Sequence, residues 1–523
     1  MKAQFATLDW VVVAAYVGVL ILGGWAFSRR KSGDADDYFL ASHSVPAWLA
    51  AISVLSATQS AATFLGGPDY GYRSDYTYLG GVLSSVLAAV FVARVLIPRF
   101  YAARVTTVYE YLEHRYDRRA MRWAGGMFLV GRVLAMGARV YLAAIAIAMV
   151  MFSSVDATSI ILAAAAVMVA AFLFTFVGGL RAVLWNDLIQ FAIYIGAAVA
   201  VVIFLRMSIP ASNGEIVEAL RNSPGGVNKL LLFDTSTDLA KPFTLLTIFT
   251  GLFLLNVANA GLDQDTTQRL LASPDAKTGA RGLYLSALMS IPIIAMFMTI
   301  GVLLHIFYDR PEVMGTANAA AATFSGEKVT IFLHYILTQI PPGLRGLVTI
   351  GVTAAAVATT NSALNAMSSV LISDFYRPWR EKRGSAPQIH YVRAGRWGMG
   401  VVGIAMFAMA VLSFYWQRYT DTPLLEFALS VMSFAYAGLL GIYIAAVFTT
   451  RGTTGSVIAA LIGGFVAVLL LQPWFGAIAG YTVPKLAFPY QLCFGTAVAT
   501  LIAVLPRGVS RPTAAAPPAG PAG

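Results

Sequence analysis

Apolar residues along this chain gather into runs of roughly 17 to 30 residues, the length that crosses a bilayer core as a helix. Thirteen such runs are read: about 10–27, 47–66, 77–97, 123–152, 158–177, 183–205, 242–260, 283–307, 344–372, 397–415, 424–448, 455–471 and 488–505. All are expected to be helices, because an open strand in lipid leaves its backbone polar groups unsatisfied. Counts of twelve or fourteen are the alternatives. The stretch TIFLHYILTQI, near 330–340, is too short and polar to span and reads as an external surface helix. The expected fold class is an all-α polytopic membrane protein.

Three of the runs carry polar residues where lipid favours leucine. The second contains SVLSATQSAATFLGGPDYGY, with Ser56, Thr58, Gln59, Ser60 and Thr63 followed by Gly-Gly-Pro, which reads as a helix break at membrane depth. The seventh ends in NVANAGLDQD, with Asn256 and Asn259 nearly one turn apart. The ninth contains AAAVATTNSALNAMSS. Polar side chains inside a membrane are costly and usually face a cavity or another helix. A single Ser or Thr is more simply explained by a bond back to its own helix. Clustering in three spans favours a site instead.

The second and seventh runs are five apart. Interrupted segments at corresponding positions of two halves point to a transporter site at a repeat interface. Two five-helix repeats over 47–205 and 242–448 fit this spacing, with extra spans at 10–27, 455–471 and 488–505. An odd repeat length inverts the second copy in the membrane. The whole of 1–508 is then one transmembrane domain, followed by a low-complexity tail at 509–523 that is read as disordered and cytoplasmic.

Composition strengthens the membrane reading. The 523 residues are 58% hydrophobic and 12% charged, far more apolar than a soluble core of this length needs. The net charge of +11 points to cytoplasmic anchors between spans rather than to nucleic acid. With the N-terminus outside, the inner loops hold 22 Arg and Lys and the outer loops fewer than half as many. This bias places the C-terminus in the cytoplasm of a plasma-membrane protein. The first run lacks a leading basic region and is read as a retained span. The one cysteine, Cys493, excludes an intrachain disulfide, and no Cys/His cluster suggests a metal centre.

The ninth run offers Thr359, Thr360 and Ser362, whose oxygens suit a hard monovalent cation better than a transition metal. Asp187, at the start of the sixth run, is one of the few intramembrane carboxylates. Arg132 and Arg139 lie seven residues apart and share one face of the fourth run. A buried guanidinium must be paired, and its fork matches a carboxylate. The two arginines therefore either pair structurally, with Asp187 or with backbone carbonyls, or hold an anionic solute.

Five stretches in order resemble the sodium:solute symporter family over about residues 33–450. They are DDYFLASHSVPAWLAAISVLSA, VTTVYEYLEHRYDRR, GGLRAVLWNDLIQ, DQDTTQRLLASPDAKTGARG and ATTNSALNAMSSVLISDFY. The resemblance implies a LeuT-like inverted-repeat bundle and sodium-coupled alternating access. It further implies a sodium site formed by the carbonyls of Ser56, Gln59 and Ala356 and the hydroxyls of Thr359 and Thr360, with Asp187 nearby. Some members hold a second sodium on an adjacent serine pair and the sixth-span aspartate; here Ser362 is followed by Ala363, a departure from that pattern. The solute site implied lies at the second-span break, lined by Thr58, Gln59, Ser60 and Thr63, with Asn256 and Asn259 opposite. SAATFLGGPDYGYR is closer to the monocarboxylate and sialate branches than to the sugar branch, which carries Glu-Gln where Ala62 and Thr63 stand.

The resulting expectation is a sodium-coupled importer of a small carboxylate or amino acid. A proton-coupled carrier and a symporter of sugars or other neutral solutes are the alternatives. A membrane enzyme finds no acid–base or nucleophile motif, and no obligate protein partner is indicated.

Overall fold

Backbone amides in lipid must bond within their own segment, and the apolar runs are accordingly helical. The computed structural model describes residues 5–28, 35–152, 154–316, 323–324, 327–328, 330–384, 386–417 and 424–506. The expected tail at 509–523 lies outside the described residues.

The principal helices are α1 (Thr7–Ser28), α2 (Ala47–Thr58), α3 (Ala61–Arg73), α4 (Leu83–Ala103), α5 (Arg118–Phe152) and α6 (Ala157–Met207). The second half contains α7 (Gly251–Gly261), α8 (Gln264–Leu271), α9 (Ala276–Asp309), α10 (Ile331–Thr338), α11 (Leu344–Val370), α12 (Gln388–Gln417), α13 (Leu424–Phe448), α14 (Thr454–Leu470) and α15 (Phe488–Val504). Among the described residues, seven helical stretches are by themselves long and apolar enough to cross a membrane. Three bent pairs and three shorter apolar helices coincide with the remaining apolar runs. The only described strands are Thr323–Phe324 and Glu327–Lys328, paired antiparallel.

The helical backbone of α6 runs for 51 residues, which at about 1.5 Å per residue is more than twice the bilayer core. It covers both the fifth and sixth apolar runs. Once the Asn361 amide is oriented to satisfy its neighbours, it meets Thr175 at 3.2 Å and Asn186 at 3.1 Å. Eleven residues of straight helix would separate those two by about 16 Å, so the helix is not straight between them.

The Gly-Gly-Pro motif is not the break. Gly66, Gly67 and Pro68 all lie inside α3, where missing side chains let neighbouring helices approach. A Cβ on Gly67 would sit 3.2 Å from Phe297 Cβ, and one on Gly301 of α9 would sit 2.3 Å from the Pro68 carbonyl oxygen. Small residues at a helix contact serve close packing in a membrane protein, where lipid gives no hydrophobic drive to associate.

The helix at 331–338 is also not superficial. Phe332 and Tyr335 are fully buried, and the Phe332 ring stacks on Phe64 of α3 with centroids 5.9 Å apart. Asp9 fastens α1 to the start of α11: it accepts from the Gly343 and Gly346 amides at 2.7 and 2.8 Å and pairs with Arg345 at 3.2 Å. An anion at a helix N-terminus satisfies amides that have no intrahelical acceptor.

The end of α4 and the α4–α5 connection meet both the end of α11 and the α8–α9 connection on one face. Thr107 of the α4–α5 connection donates to Asp374 at 2.8 Å, and Tyr101 donates to the Ser273 carbonyl at 2.9 Å.

Candidate functional site

The second span breaks at Gln59–Ser60, where α2 and α3 meet at 66°. Gln59 takes an extended conformation (φ −80°, ψ 112°), so the last-turn carbonyls of α2, that of Ser56 among them, have no following helical amide to accept. Ser60 restarts the helix as its N-cap, its hydroxyl accepting from the Ala62 amide at 3.2 Å. The side-chain oxygen of Gln59 is buried with no hydrogen-bond partner.

The seventh span breaks in the corresponding place. Leu245–Gly261 and α8 meet at 52°, with Asp263 capping α8 by accepting from the Asp265 amide at 3.0 Å. The DQDTTQR segment is therefore the second half of a broken span and is buried throughout. The expected inner-loop total of 22 includes residues 269–281 as a loop; Arg269 instead stands buried in α8 and does not belong to that total.

A cavity of about 180 Å³ lies beside the two breaks. Of the residues expected at a solute site, Thr58, Gln59, Ser60, Thr63, Asn256, Asn259 and Arg139 line it. Thr58 donates back to the carbonyls of Val54 and Leu55, at 2.9 and 3.2 Å. Asn256 donates to Ser84 at 2.9 Å, and Asn259 accepts from Tyr436 at 3.5 Å. Ser84, Tyr78, Phe243, Ser286 and Ser290 complete much of the wall. Sequence reasoning missed these, although Ser286 and Ser290 stand one turn apart within an apolar run, a signal of an inward polar face.

The two arginines have different surroundings. Arg132 does not line the cavity. It pairs with Asp263 at 2.9 Å and also with Asp265, while the Tyr436 hydroxyl donates to Asp263 at 2.5 Å. Asp187 is not its partner: that carboxylate accepts from Ser53 at 2.5 Å and faces Arg269 at 3.5 Å. Arg269 also donates to Ser53 at 2.7 Å, to Asp265 at 2.7 Å and to Ser362. A continuous buried network thus joins α2, α5, α6, α8, α11 and α13. Arg139 is also buried, at 8% exposure, but its guanidinium reaches Met432 Sδ at 3.5 Å. Among the described residues no carboxylate lies within ion-pair distance of it, and no Asp or Glu lines the cavity.

The ninth-run residues are all on α11 and buried: Thr359 is 1% exposed and Thr360 and Ser362 fully buried. Thr359 donates to the carbonyls of Ala355 and Ala356 at 2.9 and 3.1 Å, and Thr360 to Ala356 at 2.7 Å. A hydroxyl whose proton points back along the helix keeps its lone pairs for a cation. α2 packs against α11, and Ser56 donates to the Asp187 carbonyl at 3.4 Å, so the broken span, the sixth-run aspartate and the threonine helix adjoin.

The sodium:solute symporter family profile matches residues 38–469. The sodium/sialic acid symporter SiaT of Proteus mirabilis is 26% identical over 89% of this chain and 90% of its own length. NanT of Aliivibrio fischeri, also a sodium/sialic acid symporter, is 26% identical over 90% and 89%. A solved structure of a Na+-coupled sialic acid symporter, in a substrate-bound outward-open state, matches with a TM-score of 0.79 and 25% identity over 96% of this chain and 98% of that one. A nucleobase-cation-symport-1 transporter at TM-score 0.54 and 16% identity shares the fold alone. The chain belongs to the sodium:solute symporter family, membrane transporters that couple Na+ to the movement of a small organic solute.

Proposed function

We propose that this symporter carries a solute bearing one carboxylate and no ammonium group, docked at the second-span break with its carboxylate on Arg139. The observation that carries this reading is a buried guanidinium on the cavity wall with no acidic partner. A buried charge without a counter-ion is strongly unfavourable, and a bound carboxylate supplies the missing charge in the geometry the guanidinium fork favours. An amino acid would bring an ammonium group as well, and the cavity offers it no carboxylate. A sugar would leave Arg139 unpaired. Sialate transport by the two bacterial relatives accords with an acidic solute.

The sodium site on this reading joins the Ser56 and Gln59 carbonyls of the broken span to Ala356, Thr359 and Thr360 on α11. Sodium bridging these helices favours the outward-open arrangement; solute binding then allows the bundle to rock inward. One sodium carried with one carboxylate moves no net charge, so on this reading the inward sodium concentration gradient drives uptake; the membrane potential would add roughly 2.3 kcal/mol per 100 mV only for each net positive charge carried beyond that pair. The two bent spans, five apart, support a LeuT-like pair of inverted five-helix repeats within thirteen spans. The inner loops' Arg and Lys excess supports an external N-terminus and a cytoplasmic C-terminus.

The test is a thermal-shift screen of the purified protein against carboxylates, amino acids and sugars, each with and without sodium, since a ligand that binds the folded state raises its apparent stability. A shift by carboxylates that depends on sodium is expected. A shift by neutral sugars and by no carboxylate overturns the role given to Arg139.

A further inference from the structure

On the face that carries the 99–122 and 377–396 connections, a groove of about 790 Å³ opens between the start of α5, the π-helical turn Leu371–Tyr376 that continues α11, and the first half of α12. Arg122, Lys382 and Arg393 line it and no Asp or Glu does. Glu381, next to Lys382, is engaged by Arg377 at 2.9 Å. Asp374 presents its carbonyl to Arg122 at 3.3 Å, while its carboxylate accepts from Thr107. Among the described residues Lys382 and Arg393 have no acidic partner.

The wall along α12 changes character one turn at a time. Arg393 is followed by Trp397 and Val401, both lining the groove and 80% and 64% exposed, and the stripe continues to Ile404 at 73%. Phe375 and Leu371 face it from the π-helical turn. Cation, indole, then aliphatic is the order of phosphate, glycerol and acyl chain through one leaflet: aromatic rings settle at the interface, and basic pockets between spans favour anionic headgroups. A free phosphate would use the cations and leave the apolar wall exposed.

We propose that this groove is a binding site for one anionic phospholipid of the phosphatidylglycerol type, its phosphate held by Arg122, Lys382 and Arg393 and its upper acyl chain lying along Trp397 and Val401. Native mass spectrometry of the full chain in detergent, titrated with phosphatidylglycerol and with phosphatidylcholine of the same acyl chains, tests it. Wild type is expected to retain one phosphatidylglycerol at a lipid concentration at least tenfold below that needed for phosphatidylcholine. Lys382→Glu with Arg393→Glu is expected to abolish that preference. Lys277→Glu with Arg281→Glu, exposed on α9, makes the same change of net charge near the same face and is expected to leave it intact. Where charge reversal prevents recovery of monodisperse protein, Lys382→Gln with Arg393→Gln is measured instead, with the same expectation. Absence of a preference in wild type, equal loss in both pairs, or complete displacement of the lipid by glycerol 1-phosphate overturns the proposal; the last outcome would make the groove a soluble phosphate site.

Discussion

Arg132 and Arg139 stand two turns apart on one face of α5, are both buried, and do opposite things. Arg132 is enclosed by Asp263 and Asp265, so its charge is satisfied within the protein. Arg139 faces a cavity without an acid, so its charge meets no carboxylate among the described residues. Spacing along a helix says that two side chains share a face. What a buried charge is for depends on what the neighbouring helices bring to it, and here the bend between α7 and α8 delivers two carboxylates to one arginine and none to the other.

The largest effect is expected from breaking the satisfied half. Arg132→Met leaves Asp263 and Asp265 buried with half of their counter-charge removed, and losing one partner of a buried pair costs about 3–5 kcal/mol. Loss of monodisperse protein after extraction, whatever the solute present, is the expected result. If Arg132→Met extracts normally and loses only transport, the distinction between the two arginines fails.

Arg139→Gln should behave in the reverse way. The substitution removes an uncompensated buried charge, so the folded protein is expected to be as stable as wild type without solute or more so. Sodium-driven carboxylate uptake is expected to fall roughly 10- to 100-fold, the equivalent of one lost charge-assisted contact of about 1.5–3 kcal/mol. Arg139→Lys keeps the charge but not the fork and should fall between the two. Uptake by Arg139→Gln at the wild-type rate would remove the guanidinium from the solute site.

This contrast was half legible in the sequence. Polar residues in the second and seventh runs located the cavity, because hydroxyls and amides at membrane depth need a reason that lipid cannot give. The sequence did not show where each helix bends. Gly-Gly-Pro resembles a break and serves close packing of α3 on α9, whereas the true break at Gln59–Ser60 carries neither glycine nor proline. It is held by the Ser60 cap and by neighbouring helices, which a linear pattern does not record. Likewise DQDTTQR is charged enough to read as loop. Its Asp265 and Arg269, four residues apart, are an intrahelical pair at 2.7 Å, and a (i, i+4) match flanking two threonines was the available sign that the segment is a buried helix.

A smaller effect should come from α11, away from the cavity wall. Thr359→Ala with Thr360→Ala removes two hydroxyl oxygens and leaves every charge in place. About a tenfold rise in the sodium concentration for half-maximal uptake is expected, with the thermal stability of the sodium-free protein nearly unchanged, since each hydroxyl bonds only to its own helix. Sodium activation identical to wild type would move the ion away from α11.

The smallest effect concerns Ser362. In relatives with a second sodium, as the resemblance implies, an adjacent serine pair and the sixth-span aspartate hold it; here Ser362 precedes Ala363, and the Arg269 guanidinium lies against both Ser362 and Asp187. A fixed cation in contact with those groups opposes binding of a mobile one through like-charge repulsion in a low-dielectric interior. One sodium per cycle is therefore the expected stoichiometry, and with it a sodium activation curve whose Hill coefficient is one. Ser362→Ala removes one hydrogen bond from a guanidinium that keeps Ser53, Asp187 and Asp265 as partners, so about 1 kcal/mol of stability should be lost and the Hill coefficient should stay at one. A wild-type coefficient near two that falls to one in Ser362→Ala would show that Ser362 serves a second ion, and that the Arg269 guanidinium withdraws from Ser362 when that ion binds.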